Sequence, residues 1–209
     1  MSNMMKMLPI SSPLSSTYMV PAGEFALLQS FESGLNYIYN RYIQLYLFED
    51  IIKRDSTDVG LSILTDPYDH NPCFITTKIE LQYEYLIHDY KDFIIDNINH
   101  GTYVYTYRYV DEYYIKDTTS YNKNHLIHMF LIYGYDLDKK IFYTMGYNQR
   151  NLFSVIEFSF DEFDNAIQNI QENGHKYIIL IQQNNQYNEE LNLGQHRIKK
   201  PVKNRSNMI

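Results

Sequence analysis

Consecutive runs of β-forming residues fill the second half of the chain, and they constrain the fold more than any other feature. Aromatic and polar residues alternate over TYVYTYRYVDEYYI, an apolar run follows in LIHMFLIYGYD, and a short turn leads to KKIFYTMGYN. NLFSVIEFSF and HKYIILIQQ are two further runs of this kind. Such runs indicate strands, and the short turns between them favour antiparallel pairing. The sequence therefore predicts an antiparallel sheet.

A helical period marks two stretches of the first half and one near the end. In the first stretch, apolar residues recur at spacings of three and four, at Leu28, Phe31, Leu35, Ile38 and Tyr42. This spacing predicts an amphipathic helix that begins near Phe25, with the Glu24 carboxylate at its positive end. A second helix is predicted from about residue 80 to 99, ended by His100 and Gly101, and a third over DEFDNAIQNIQENG.

The order of these elements predicts the fold class. Helices come first and strands second, which is typical of an α+β fold with N-terminal helices packed against one side of a twisted antiparallel β-sheet. With 209 residues and 44% hydrophobic content, the chain can bury one core. We predict a single domain over residues 23–186, with an irregular stretch at 52–72, after an extended or disordered leader at 1–22.

Residues 187–209 are predicted to form a flexible basic tail. Five cations lie close together there, at Arg197, Lys199, Lys200, Lys203 and Arg205. They fit a solvated tail, and a partner for them is left open. The net charge of -7 argues against nucleic-acid binding, because an acidic protein gains little from counterion release.

Cysteine content and motifs exclude several further classes of protein. The single cysteine, Cys73, rules out an intrachain disulfide framework and a zinc cluster, and it fits a reducing, cytoplasmic environment. No signal-peptide pattern and no membrane-length apolar run occurs, so we expect a soluble protein without membrane association. The absence of a glycine-rich phosphate loop and of a zinc-binding helix predicts no cofactor and no metal.

Two histidines on the apolar run HLIHMFLIYGYD are the main candidates for chemistry. A cysteine–histidine site needs a nucleophile at the N-terminus of a long helix, a histidine on a strand of the following sheet, and an acceptor on the next strand. His128, six residues before Gly134, fits the histidine, and His125 is interpreted as structural or as part of the rim. Asn148 is the predicted acceptor that orients the imidazole, and Asp136 is the alternative.

The block HMFLIYGYD, followed by a hairpin and FYTMGYN, resembles the papain-fold family that includes bacteriocin-leader peptidases. It is most similar to the acyltransferase branch found in antibiotic biosynthesis, over roughly residues 25 to 170. The resemblance implies a papain-like fold and a cysteine at the start of the first helix, eleven residues before an aromatic residue. Counting back from Tyr37 gives Ala26, so the chain is either a non-catalytic relative or a variant in which alanine replaces the nucleophilic cysteine.

Neighbouring residues offer weaker candidates for the same site. Ser30, one turn beyond Ala26, is a weaker nucleophile, and Gln29 could line the site. No glutamine precedes Ala26, so the oxyanion hole is left to backbone N–H groups near residues 26 and 27. Cys73 follows Asn-Pro in a predicted loop and is interpreted as a structural thiol.

The activity implied by the resemblance is acyl transfer that forms an amide bond. A thiolate at position 26 would attack an acyl thioester on the phosphopantetheine arm of an acyl or peptidyl carrier protein, and the acyl group would pass to a small-molecule amine. Tyr105 and Tyr107 could line an acyl channel, while Asp111 and Glu112 could hold an ammonium group. A cysteine peptidase of the same fold and a non-catalytic ligand- or carrier-binding protein remain as alternatives.

Overall fold

A seven-stranded antiparallel sheet forms the centre of the protein in a computed structural model, which describes residues 4–16, 19–41, 71–80, 89–168, 170 and 177–191. The strands are β1 Met5–Met7, β2 Phe74–Glu80, β3 Tyr103–Asp111, β4 Ile127–Asp136, β5 Ile141–Tyr147, β6 Phe153–Ser159 and β7 Tyr177–Gln183. Their order across the sheet is β2-β7-β3-β4-β5-β6, and β1 pairs with the end of β4. All of these pairings are antiparallel.

Helices pack around this sheet. Within the described ranges they are α1 Met19–Leu28, α2 Glu32–Arg41, α3 Tyr90–Asn99 and α4 Phe160–Gln168, with a short 3-10 helix at Glu112–Tyr114. Helix α1 contacts α2 and β5, and α3 contacts α4 as well as β3 and β4. The protein is therefore a mixed α/β structure with a large antiparallel sheet and a few helices, which confirms the coarse prediction of the fold.

Each β-forming run of the second half forms a strand, but two strands were not predicted. Residues 5–7 lie within the predicted extended or disordered leader, and they pair with β4 as β1. Strand β2 pairs with β7 along its whole length and ends at Glu80, where a helix had been predicted to begin. That helix is α3, and it begins at Tyr90, where the Asp89 side chain accepts a hydrogen bond from the Asp92 N–H.

The first predicted helix is two helices. The predicted start near Phe25 is wrong, because α1 begins at Met19 and ends at Leu28, and α2 begins at Glu32. Glu24 is therefore inside α1, where its carboxylate is buried and accepts a hydrogen bond from Asn71 Nδ2 at 2.6 Å. The two helices approach closely at Gly34, where a Cβ atom would lie 2.2 Å from the Leu28 carbonyl oxygen. Glycine is required at that position for this reason.

Part of the predicted flexible tail contacts helix α2. Asn36 Nδ2 donates to the Glu189 carbonyl oxygen at 2.8 Å, and Asn40 Nδ2 donates to the Glu189 carboxylate at 2.9 Å. The five cations of residues 197–205 and most of the predicted irregular stretch at 52–72 lie outside the described residues.

Aromatic side chains fill the core between β4, β5, β6 and α4. The rings of Phe130 and Phe158 meet edge to face at 5.6 Å, and Phe158 stacks on Phe163 of α4 at 5.7 Å. All three residues are fully buried, and each buried phenylalanine contributes roughly 2–3 kcal/mol of hydrophobic stabilisation. The His128 and Phe130 rings meet edge to face, with 6.4 Å between their centroids. The aromatic core therefore packs against one side of the imidazole.

Candidate functional site

The end of strand β3 lies beside the beginning of the histidine-bearing strand β4. Val110 pairs with His128 and Asp111 pairs with Ile127, after a register shift between Thr106 and Val110. A shift of this kind changes the direction in which the following side chains point, and it is common next to functional sites. Two acidic residues, Asp111 and Glu112, are thereby brought next to His125, which precedes β4, and His128, which lies on it.

Glu112 is the partner of His128. Its Oε1 lies 2.5 Å from His128 Nδ1, and the glutamate is only 2% exposed. A carboxylate only accepts hydrogen bonds, so Nδ1 carries a hydrogen, and in the neutral imidazole Nε2 is then the acceptor nitrogen. Among the residues that the structure describes, none forms a hydrogen bond with Nε2, and the His128 side chain is 25% exposed. The imidazole is therefore held in one orientation with its basic nitrogen accessible.

Asp111 forms a second pair with His125, and its contacts hold the loop between β3 and β4 in place. Asp111 Oδ2 lies 2.6 Å from His125 Nδ1, while Oδ1 accepts hydrogen bonds from the Tyr113 and Leu126 backbone N–H groups. His125 stacks on the Tyr113 ring at 4.4 Å and is half-exposed. The aspartate is 1% exposed and is surrounded by these donors, so an ammonium group has no open approach to it.

Tyr147, which no sequence pattern singled out, connects His128 with Ser16, a residue that precedes helix α1. Its ring stacks on the His128 ring at 6.1 Å, and its hydroxyl donates to the Ser16 carbonyl oxygen at 2.7 Å. Ser16 is three residues before Met19, the first residue of α1. Burial raises the pKa of the Tyr147 hydroxyl, which keeps it protonated as a donor.

Ala26 does not lie at a helix start. It is fully buried, it is the eighth of the ten residues of α1, and its carbonyl oxygen accepts from the Ser11 N–H at 3.1 Å. At 1.5 Å per residue it is about 10 Å along the helix from Met19. The expectation that residue 26 occupies the positive end of the helix dipole is therefore wrong.

Gln29 and Ser30 lie in the segment between α1 and α2 and are engaged in local contacts. Gln29 Oε1 accepts a hydrogen bond from the Leu14 N–H at 2.7 Å. The Ser30 hydroxyl donates to the Leu27 carbonyl oxygen at 2.6 Å. These contacts tie the segment that follows α1 to the chain before it.

The two predicted orienting residues are both engaged in turns. Asn148 Oδ1 accepts from the Arg150 and Leu152 N–H groups, and its Nδ2 donates to Ser154 Oγ. Asp136 lies at the opposite end of β4 from His128, and its Oδ1 accepts from the Lys139 N–H at 3.0 Å. Glu112 contacts His128 instead, and the sequence signal for it was the pair of adjacent acids that precedes the pair of histidines.

The predicted acyl-channel tyrosines occupy the middle of β3. Tyr105 is buried and its hydroxyl contacts Met129 Sδ, and burial, with smaller contributions from Tyr107 and Tyr177, raises its pKa. Tyr107 stacks on Tyr177 at 4.4 Å. Cys73 is also buried, immediately before β2, and strands β7 and β3 separate β2 from the histidine strand.

Comparisons with family models, with curated proteins and with solved structures found no match to this chain. In the described part of the chain, no group of three or more His, Cys, Asp or Glu side chains is arranged to hold a metal ion. The helices within the same ranges are too short or too polar to cross a membrane.

Proposed function

We propose that this chain transfers an acyl group from a carrier-protein thioester to an amine, with His128 as the group that moves the proton. The hydrogen bond between His128 Nδ1 and Glu112 carries the proposal. The buried carboxylate holds one tautomer of the imidazole and stabilises its protonated form, while Nε2 is accessible to a reacting group. A histidine that only filled the core would have no need of an accessible basic nitrogen.

We also propose that the helix and the histidine strand have a papain-like arrangement. The contacts of Tyr147 with His128 and Ser16 support it, because they link the imidazole to the chain three residues before α1. The N-terminus of a helix favours negative charge, including the oxyanion that forms when a thioester carbonyl is attacked. Ala26, in the last turn of α1, has no such environment.

A direct mechanism is open to a site that has alanine at position 26. The amine nitrogen attacks the thioester carbonyl carbon, and His128 Nε2 accepts the proton that the nitrogen loses. The carbon–sulfur bond then breaks, and the protonated imidazole returns the proton to the departing pantetheine thiolate. One carbon–nitrogen bond forms, one carbon–sulfur bond breaks, and no covalent enzyme intermediate is required.

A binding protein without turnover is the second candidate. It is favoured by one observation: the single cysteine of the chain is buried beside β2, with two strands between it and the histidine strand. A relative that had lost its nucleophile would retain the thioester-binding surface and release no product. A peptidase or thioesterase would instead pass the acyl group to water.

The products formed from an acyl-pantetheine thioester distinguish these functions. The full chain is incubated with the thioester and a panel of small amines, and amide and free acid are quantified by mass spectrometry. We expect amide, and we expect His128→Ala to lower its rate by about 100-fold. His125→Ala is the matched control, because it removes the neighbouring imidazole, and it should retain most of the activity. Free acid alone, or binding of the thioester without any product, would overturn the proposal.

A further inference from the structure

The backbone around Glu112 is fastened by a buried threonine six residues further along the chain. Thr118 is 1% exposed, and its hydroxyl lies 3.0 Å from the Glu112 carbonyl oxygen and 2.9 Å from the Ile115 carbonyl oxygen. A hydroxyl has a single hydrogen, so the two buried carbonyl groups share it in a three-centre hydrogen bond. The Thr118 N–H also donates to the Ile115 carbonyl oxygen at 3.2 Å.

The rest of this turn, Glu112–Thr118, is held from outside. The Glu112 N–H donates to the Leu126 carbonyl oxygen at 2.9 Å, which ties the turn to the residue before β4. The Lys116 N–H donates to Glu162 of α4 at 3.1 Å, and Gln149 Nε2 donates to the Lys116 carbonyl oxygen at 2.6 Å. Thr118 supplies the side-chain hydroxyl that holds the Glu112 peptide group within the turn.

We propose that Thr118 is a positioning residue that sets the orientation of His128 through Glu112. The inference rests on the proposed function, in which the Glu112–His128 pair moves the proton. When the hydroxyl is removed, the Glu112 carbonyl keeps only the Ile115 N–H and the Ile115 carbonyl keeps only the Thr118 N–H. The side-chain donor that links the two carbonyl groups is lost, so the turn is held less tightly and its backbone shifts. Because the Glu112 carboxylate is carried on that backbone, the shift moves Oε1 away from the imidazole nitrogen. A displacement of this kind lowers the rate of a reaction that depends on fixed geometry.

Thr118→Val and Thr118→Ser separate the hydroxyl from the rest of the side chain. Valine keeps the volume and removes the donor, and serine keeps the donor. Thr144→Val is the matched control, because Thr144 is also fully buried and its hydroxyl donates to a carbonyl oxygen, that of Ile156, at 2.9 Å. The ring nitrogens of His128 are followed by 1H–15N NMR at a pH at which the imidazole is neutral, since their chemical shifts report which nitrogen carries the hydrogen.

The wild type is expected to show the hydrogen on Nδ1. Thr118→Val should shift the ring towards a mixture of both tautomers and lower kcat for amide formation by about tenfold, and Thr118→Ser should restore both properties. Thr144→Val should lose a similar amount of stability with the wild-type His128 spectrum. If Thr118→Val does not fold, Thr118→Ala, which also removes the hydroxyl, is measured in its place.

A wild-type His128 spectrum in the folded variant without the hydroxyl would overturn the positioning role. A changed spectrum in Thr144→Val of the same size would overturn it as well, because general loosening of the core would then explain the effect. The NMR result stands whether or not amide is formed, so failure of the proposed function and failure of this inference are distinguished.

Discussion

Glu112 and His128 are separated by 16 positions in the sequence and meet at 2.5 Å, between the glutamate Oε1 and the imidazole Nδ1. The adjacent residue Asp111 reaches the other histidine, His125, at 2.6 Å. Two neighbouring acids thus bind two histidines in different environments, His125 in the loop before β4 and His128 on β4. The His128 pair has an accessible ring nitrogen supported by the aromatic core, whereas the His125 pair closes the loop between β3 and β4.

Replacement of Glu112 tests whether the negative charge of the Glu112–His128 pair contributes to the reaction. Glu112→Gln keeps the shape of the side chain but removes the negative charge that stabilises a protonated imidazole. We expect kcat for amide formation to fall by at least about tenfold, with KM little changed, because the lost interaction is stronger in the transition state. Steady-state kinetics with the acyl-pantetheine thioester and a saturating amine measure both constants.

Asp111→Asn is the control for this variant, since it removes the charge from the neighbouring pair. It should lower the melting temperature, because the loop between β3 and β4 is held less tightly, while most of kcat is retained. Equal losses of kcat in the two variants would show that the Glu112 carboxylate has no special relation to the reaction.

Gly146 is predicted to be essential for the packing beneath His128. A Cβ atom at this position of β5 would lie 2.7 Å from two ring atoms of Phe130 and 3.3 Å from Ile156 Cδ1. Phe130 is fully buried, so its ring must move when alanine is introduced. We expect Gly146→Ala to lower the free energy of unfolding by about 1–3 kcal/mol, measured by urea denaturation, and to shift the NMR signals of the His128 ring.

Gly101→Ala is the contrasting variant. Gly101 has φ +77°, and no neighbouring atom lies within 4 Å of a Cβ placed on it. Its replacement should cost about 1 kcal/mol of backbone strain and leave the His128 signals unchanged. If both variants lose the same stability and neither changes the His128 signals, the contact between residue 146 and Phe130 does not govern the site.

The strands that the sequence predicted are those whose pattern of apolar residues lies within one continuous stretch of chain. Each long β-forming run became a strand, because apolar β-formers over seven to ten residues require burial in a sheet. Strand β2, FITTKIE, carries mixed residues at the edge of the sheet and has no such pattern, and β1 is only three residues long. The break between α1 and α2 was also missed, since the spacing of apolar residues continues across it.

The site was predicted only in part, because its contacts join residues that are far apart in the sequence. His128 stands out in the sequence because an ionisable residue interrupts an apolar run. Its partner depends on the register between β3 and β4 and on the turn held by Thr118, and neither feature is visible in a local pattern. Asn148 looked suitable because it follows the neighbouring strand β5, and Asp136 because it lies at the turn after the histidine run. Backbone N–H groups in their own turns bind both side chains.

Tyr103 provides a test of the fold at alkaline pH. Its hydroxyl donates to the Pro9 carbonyl oxygen, and burial raises its pKa from 10.0 to about 12. A raised pKa means that the unfolded chain loses the proton first as the pH increases. The stabilisation from the neutral hydroxyl is therefore complete below pH 10 and is lost as the pH rises through 12, at about 1 kcal/mol for each pH unit in this window.

Tyr103→Phe removes both the hydrogen bond and the ionisation. At pH 8 the variant should be less stable than the wild type by about 1 kcal/mol, because the Pro9 carbonyl oxygen loses its donor. The difference should shrink and then reverse between pH 10 and 12, where only the wild type has a Tyr103 proton to lose on unfolding. Burial also raises the pKa of Tyr105, Tyr133 and Tyr147, so both proteins should weaken at high pH, and the wild type should weaken more steeply. Urea unfolding at pH 8, 10 and 11 measures the two slopes, and parallel slopes would show that Tyr103 ionises equally easily in the folded and unfolded chain.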